Sequence, residues 1–262
     1  MQILAIDWSG DAHLARSRMW LAEAREPGRL VRLEAGRDRT AMSDHLATIQ
    51  SDSVIGLDFG FAFPSWFLEQ LGVRSAPDLW TRVATHGESW LTACQPPFWG
   101  RRGRPRPGLD GAAYRRTEIG VPRLAGVGPK SMFQIGGAGA VGTGSIRGMP
   151  VLRRLHMQGA RVWPFTSEGS PVVLEIYPRL LTGAVRKSDP VARAKLLATR
   201  YPHLDREHAR LATLSEDAFD AAVSALVMIE HVSDLQSLPE EHDAELRLEG
   251  RIWHPAWRLD QL

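Results

Sequence analysis

The stretch VIGLDFGFAFP, residues 54–64, decides the fold. Val54 to Leu57 form a short apolar run that reads as a buried strand. Asp58 follows at once, beside Phe59 and Gly60 and close to Phe61 and Phe63. An isolated buried charge is costly, so a carboxylate at the end of a core strand implies a partner or a bound cation. A second run of this kind opens the chain: QILAID (2–7) is largely apolar and ends in Asp7, with Ser9, Gly10 and Asp11 marking a turn. Between the two, RMWLAEA (18–24) and RLVRLEA (29–35) flank Glu-Pro-Gly and predict a hairpin. TAMSDHLATIQ (40–50) places Met42, Leu46 and Ile49 at helical spacing behind a Thr40 or Ser43 cap. Strand, hairpin, helix, strand predicts the opening of a mixed α/β sheet.

Residues 61–170 break this pattern and are expected to form a large insertion after the fourth strand, the core being residues 1–60 and 171–262 of a single domain. Helices are predicted over 65–71, 77–84 and 151–159. Residues 95–111, rich in Pro, Gly and Arg, predict a loop, and GGAGAVGTGSIRG (136–148) is glycine-rich. The core pattern returns with PVVLEIY (171–177), a strand carrying Glu175. A helix over 190–199 follows, with Pro190 in its first turn and Ser188 or Asp189 as cap. A short helix is expected near 205–212. The apolar segment around DAFDAAVSALVMIE, within 215–231, predicts a buried helix. AELRLEGRIWHP reads as a final hairpin around Glu249 and Gly250.

The bulk composition is that of a soluble globular protein, 44% apolar and 24% charged over 262 residues. A single cysteine, Cys94, excludes an intramolecular disulfide. The first residues lack the basic region of a signal peptide, and no run is long enough to span a membrane, so a cytoplasmic protein is expected. The net charge of +2 hides an asymmetry. Residues 99–160 hold eleven Arg and Lys against Asp110 and Glu118, whereas residues 201–262 hold five Arg against thirteen acids. A basic middle points to an anionic ligand such as nucleic acid, or else to a solvated loop docked on the acidic C-terminal part.

Acids recur in the apolar elements: Asp7, Asp58, Glu175 and the pair Asp217 and Asp220, three apart on one helix face. Each has a local explanation, such as a cap for Asp217, a turn for Asp7 or Asp58, or an arginine such as Arg179 for Glu175. One shared explanation covers all of them, namely convergence on divalent metal. Carboxylate oxygens suit Mg²⁺ or Mn²⁺. In open α/β sheets, sites form beyond the carboxyl ends of strands, where Asp7 and Asp58 lie. Two metals there would clamp a phosphodiester, activate water and stabilise the leaving oxygen.

The segments LAIDWSG (4–10), VIGLDFGFAFP (54–64), YRRTE (114–118), LEIYPRLL (174–181), DAFDAAVSAL (217–226) and EGRIWHP (249–255) span nearly the whole chain. In order and spacing they resemble the predicted RNase H-like nuclease family, catalogued as family 429 of the domains of unknown function and related to RuvC-type resolvases. The resemblance implies an RNase H-like fold: a mixed five-stranded sheet, its first three strands antiparallel, flanked by helices. It also implies a metal-dependent phosphodiesterase site on Asp7, Asp58, Glu175, Asp217 and Asp220. RNase H proper carries an acid on the first core helix. Here that helix offers only Asp44, so Glu175 takes the role or the site differs.

Arg115 and Arg116 of YRRTE, with Arg123 and Lys130, are candidates for holding substrate phosphate. Alternatively, Arg116 and Glu118 pair with core acids. Trp8 and Phe59 either stack on a base or wall the pocket. Two other readings compete. An actin-like ATP-binding phosphotransferase shares the core, and GGAGAVGTGS resembles a nucleotide loop, but only 50 residues separate Asp7 from Asp58. A non-catalytic nucleic-acid- or protein-binding module would leave five acids repelling one another. DNA or RNA as substrate, and the oligomeric state, stay open.

Overall fold

The computed structural model describes residues 1–49, 52–109 and 111–255. Strand β1 (Gln2–Asp7) is buried at every position between its ends. The one-turn helix α1 (Ala15–Arg18) leads to the predicted hairpin, β2 (Trp20–Arg25) and β3 (Arg29–Glu34). Helix α2 (Arg39–Leu46) is capped by Asp38, whose side chain accepts from Ala41 N, and not by Thr40 or Ser43. Strand β4 (Ser53–Leu57) is buried throughout.

Helices α3 (Ser65–Gln70), α4 (Ala76–Ala93), α5 (Arg116–Gly120) and α6 (Gly142–Met157) follow, then the two-residue strand β5 (Arg161–Val162). Next come β6 (Val172–Ile176), α7 (Pro178–Thr182), α8 (Pro190–Arg200), α9 (Arg206–Leu214), α10 (Glu216–Glu230) and α11 (Val232–Gln236). The described chain ends with α12 (Leu246–Glu249) and β7 (Ile252–Trp253).

The sheet is mixed and has seven strands in the order β3-β2-β1-β4-β6-β5, with β7 also paired to β6. Strands β1, β2 and β3 form an antiparallel meander, and β4, β6, β5 and β7 run parallel to their neighbours. Side chains of a strand alternate between faces, and two core layers result. Ile3, Ala5, Val54, Leu174 and Ile176 pack with α10 on one face. Leu4, Ile6, Ile55, Leu57 and Val173 pack on the other with the aromatic cluster of the central segment, including Phe61, Phe63, Phe133 and Trp80.

Three expectations need correction. The sheet has two more strands than the five expected. One of them, β5, comes from the segment read as an insertion, so that segment completes the sheet edge. The final hairpin is absent: 246–249 is helical and β7 pairs in parallel with β6. Glu-Gly is a turn signal, but Gly250, at φ +84°, follows the last residue of α12, and a glycine there ends a helix as readily as it makes a hairpin. Helix α6 begins at Gly142, nine residues before the predicted start, inside the glycine-rich stretch. Glycine is a poor helix former, yet a side chain at Gly148 would meet the Phe59 ring at 2.6 Å, and one at Gly10 would collide with the Gly144 backbone. Close packing of α6 against the β1 and β4 exits demands those glycines and overrides propensity.

Candidate metal centre at the carboxyl edge of the sheet

The strand ladder itself brings two of the acids together. β1 and β4 pair in parallel with Ile6 opposite Leu57. Asp58 N donates to Ile6 O at 3.0 Å, adding one more rung beyond β4. Asp7 and Asp58 therefore leave neighbouring strands side by side. They share parity with Ile3, Ala5 and Val54, so both belong to the face covered by α10. That helix is capped by Ser215, whose hydroxyl accepts from Ala218 N. Asp220, one turn further in and 7% exposed, comes from this helix to the same acids.

A fourth group arrives that the sequence did not suggest. Lys187, in the turn between α7 and α8, donates its ammonium to Asp220 Oδ2. Two arginines hold this turn. Arg179 Nη1 donates to Val185 O at 2.7 Å, and the buried Arg193 donates to Lys187 O while bridging to Thr213 O at 3.0 and 2.6 Å. In sequence Lys187 is one basic residue before a helix cap, with nothing to mark it.

The electrostatics of the cluster are those of crowded, poorly solvated carboxylates. Burial, followed by the charges of Asp58, Asp220 and Asp217, holds Asp7 well above the ordinary carboxylate range. Burial and Asp220 push Asp58 up to about 7, against the pull of Lys187 and a hydrogen bond with Asp7. Burial raises Asp220 to about 6, with Lys187 again opposing. Asp217, on the partly exposed rim, is also raised, chiefly by burial. Asp220 Oδ1 is buried and has no hydrogen-bond partner.

Glu175 lines the same cleft as Asp58, and its charge adds to the rise of Asp58, but it is engaged differently. In the β4–β6 register it lies opposite Leu57, on the face away from α10. There Arg115, 1% exposed, grips it with both prongs of its guanidinium, at 2.5 and 2.8 Å, and Phe61 N donates to it at 2.9 Å. Arg115 also donates to Glu118 Oε1 at 3.0 Å and to Glu249 O at 3.0 Å. Burial drives Glu118 up to about 7, opposed by the Arg115 charge. This knot ties the central segment to the sheet.

The other phosphate candidates are dispersed. Arg116 pairs with Asp243 at 2.5 Å and Glu245 at 3.6 Å, so part of the basic segment does dock on the acidic C-terminal part. Arg123 donates to Gly126 O at 3.2 Å. Asp44 pairs on the surface with Arg154, apart from the cluster. Of the four, Arg115 and Lys130 line the cleft beside Asp58, Arg115 with its guanidinium already held by Glu175 and Glu118, together with Trp8, Gly60, Tyr177 and the start of α6 at Val141 and Gly144. Trp8 and Phe59 pack at 5.1 Å between ring centres, and the Trp8 indole donates to Gly144 O at 3.1 Å, so both rings wall the cleft. A second, shallower groove begins at Gly10 and runs past Arg101, Arg102 and Gly136.

Among the described residues, no three Asp, Glu, His or Cys side chains already stand as a set of metal ligands. The chemistry of the donors nonetheless suits a hard cation: Asp7, Asp58 and Asp220 offer only oxygen, and Asp220 Oδ1 is a buried acceptor with nothing to accept. Compared with known protein families, curated proteins and solved structures, the chain finds no match in any of the three.

Proposed function

We propose that the chain is a divalent-metal-dependent nuclease of RNase H-like fold, hydrolysing phosphodiesters at the Asp7–Asp58–Asp220 cluster. One observation carries the reading. Three carboxylates from three separate elements meet at the carboxyl edge of the sheet, at a cost visible in their raised pKa values, around a buried oxygen without a partner. Clusters of this kind concentrate at functional sites. The antiparallel meander β1–β3, continued by the parallel strands β4 and β6, fits the expected sheet. Asp7, Asp58 and Asp220 would hold Mg²⁺ or Mn²⁺, with Asp217 at the rim. When bound, such an ion supplies Lewis acidity and lowers the pKa of its water.

The residues around the cluster fit a phosphate ester. Lys130 stands at the cleft, and the first turn of α6 borders it with a helix N-terminus, which favours negative charge. Arg101, Arg102 and Arg104 are exposed and make no ion pair among the described residues, and the first two line the adjoining groove. A polyanion lying in both grooves would pass Gly10, which lines both. The actin-like alternative has little room here, since only α1, β2, β3 and α2 lie between β1 and β4.

The test is cleavage of labelled single-stranded DNA, branched DNA and RNA with Mn²⁺. Cutting by the wild type that is lost in Asp7→Asn and Asp220→Asn is expected. Metal-dependent ATP hydrolysis without strand cleavage would favour the phosphotransferase, and neither activity would refute the nuclease.

A further inference from the structure

We infer that the cluster takes a single divalent cation, with the Lys187 ammonium supplying the second positive centre that a two-metal site would draw from another ion. The inference rests on the proposed metal site and corrects the two-metal expectation drawn from the sequence.

The first argument is the number of carboxylates left over. Of the five acids the sequence nominated, Glu175 leaves β6 with the opposite parity and still lines the cleft beside Asp58, but it has no oxygen to spare. Both its oxygens are engaged, Oε1 by Arg115 and Oε2 by Arg115 and Phe61 N. Asp217 is partly exposed at the rim; its charge reaches Asp7 and Asp220, and it faces Arg18 as well as Lys187, so solvent and Arg18 offset it. That leaves Asp7, Asp58 and Asp220 facing one another. Three carboxylates with one ammonium carry a charge that one divalent ion cancels. A second divalent ion would leave the site with a net charge of about +2, and the Asp220 oxygen it would need is already held by Lys187.

Placement of the lysine is the second argument. A lysine that merely paired with Asp220 from the surface would be exposed and loosely held. Lys187 is largely buried, its side chain 23% exposed, and its turn is clamped through Val185 O and Lys187 O by two arginines from α7 and α8. Arg193, itself 3% exposed, spends its remaining donors on Thr213 O. This scaffolding fixes where the ammonium sits. It occupies Asp220 Oδ2 and leaves Oδ1 open, so one oxygen of Asp220 serves the built-in cation and the other is available to the ion.

The experiment is calorimetric titration of Mn²⁺ into the full chain, together with Lys187→Met and Lys187→Arg, with the Mn²⁺ electron paramagnetic resonance spectrum recorded at saturation. One ion per wild-type chain with an isolated-ion spectrum is expected. Lys187→Arg keeps that stoichiometry, and Lys187→Met admits a second ion whose spectrum shows spin coupling to the first. Two ions in the wild type, or coupled spins there, would overturn the inference while leaving the metal site intact. So would a Lys187→Met protein that still binds one ion, more weakly than wild type, because the lysine would then only prop Asp220. No binding by any of the three proteins would overturn the metal reading itself. Should Lys187→Met fail to fold, the wild-type stoichiometry and spectrum still decide between one ion and two.

Discussion

Replacing Asp58 by asparagine should make the metal-free protein more stable, and by an amount that depends on pH. In the fold the Asp58 carboxyl is raised from an ordinary 3.8 to about 7. The native state therefore binds its proton more tightly than the unfolded chain does. Stability is lost as pH rises from about 4 through about 7, where the unfolded carboxyl has ionised and the folded one is being forced to. At about 1.4 kcal/mol per pKa unit, a shift of about three units gives a ceiling of roughly 4 kcal/mol at pH 8. The same relation leaves about 2 kcal/mol at pH 5 and almost nothing below pH 4. Asparagine cannot ionise and nearly matches the neutral acid in shape, so Asp58→Asn should recover most of that loss. For a chain of this size, about 2–4 °C per kcal/mol predicts a melting temperature roughly 5–15 °C higher at pH 8 in EDTA. The assay is thermal and urea unfolding of both proteins at pH 5 and pH 8, with EDTA and then with Mn²⁺. Metal should stabilise the wild type and do little for the variant, which lacks one of the proposed ligands. A variant no more stable than wild type at pH 8, or one whose gain is equal at both pH values, would refute the account, since the effect would then lie in packing or hydrogen bonding.

The remaining predictions probe the parts around that carboxylate. Metal binding must strip protons from Asp58 and Asp220, raised to about 7 and about 6, so Mn²⁺ affinity should climb between pH 6 and pH 8. Calorimetry in buffers of different ionisation enthalpy should count the protons released at pH 6. Arg115→Met should cost about 3–5 kcal/mol in urea unfolding, because it strands Glu175 and Glu118 in the interior, and Arg115→Lys should recover only part of that, since an ammonium cannot reproduce the two-pronged grip. A cost below about 1 kcal/mol, the range of an exposed pair, would contradict the buried knot. Glu175→Gln should lower stability yet leave Mn²⁺ stoichiometry and affinity as in the wild type, and lost metal binding would return Glu175 to the site. Gly148→Ala pushes a methyl group toward the Phe59 ring and should cost about 1–3 kcal/mol in thermal or urea unfolding.

What could be read in the sequence, and what could not, follows from the range over which each signal acts. β1, the hairpin, β4, β6 and α10 are written in local periodicity and turn chemistry, and they appear where expected within a residue or two. Asp7, Asp58 and Asp220 were legible because an acid in an apolar run is a local anomaly. Glu175 is the same anomaly, but its partner, Arg115, lies 60 residues away in a segment with no strong periodicity. Even so, its placement was partly decidable. Val54 and Asp58 share one parity of β4, and a parallel neighbour that sets Glu175 opposite Leu57 puts it on the other. What the sequence lacked was the register, which is a tertiary quantity. Lys187 fails for the same reason: its role is defined by Asp220, 33 residues on, and by two arginine clasps on backbone carbonyls that no side-chain pattern records. Helix α6 fails in the opposite sense, its local signal being strong and misleading. The glycines that weaken it as a helix are what let it lie against Gly10 and Phe59, so the residues that hide the element in sequence are the ones that bring its N-terminus to the cleft.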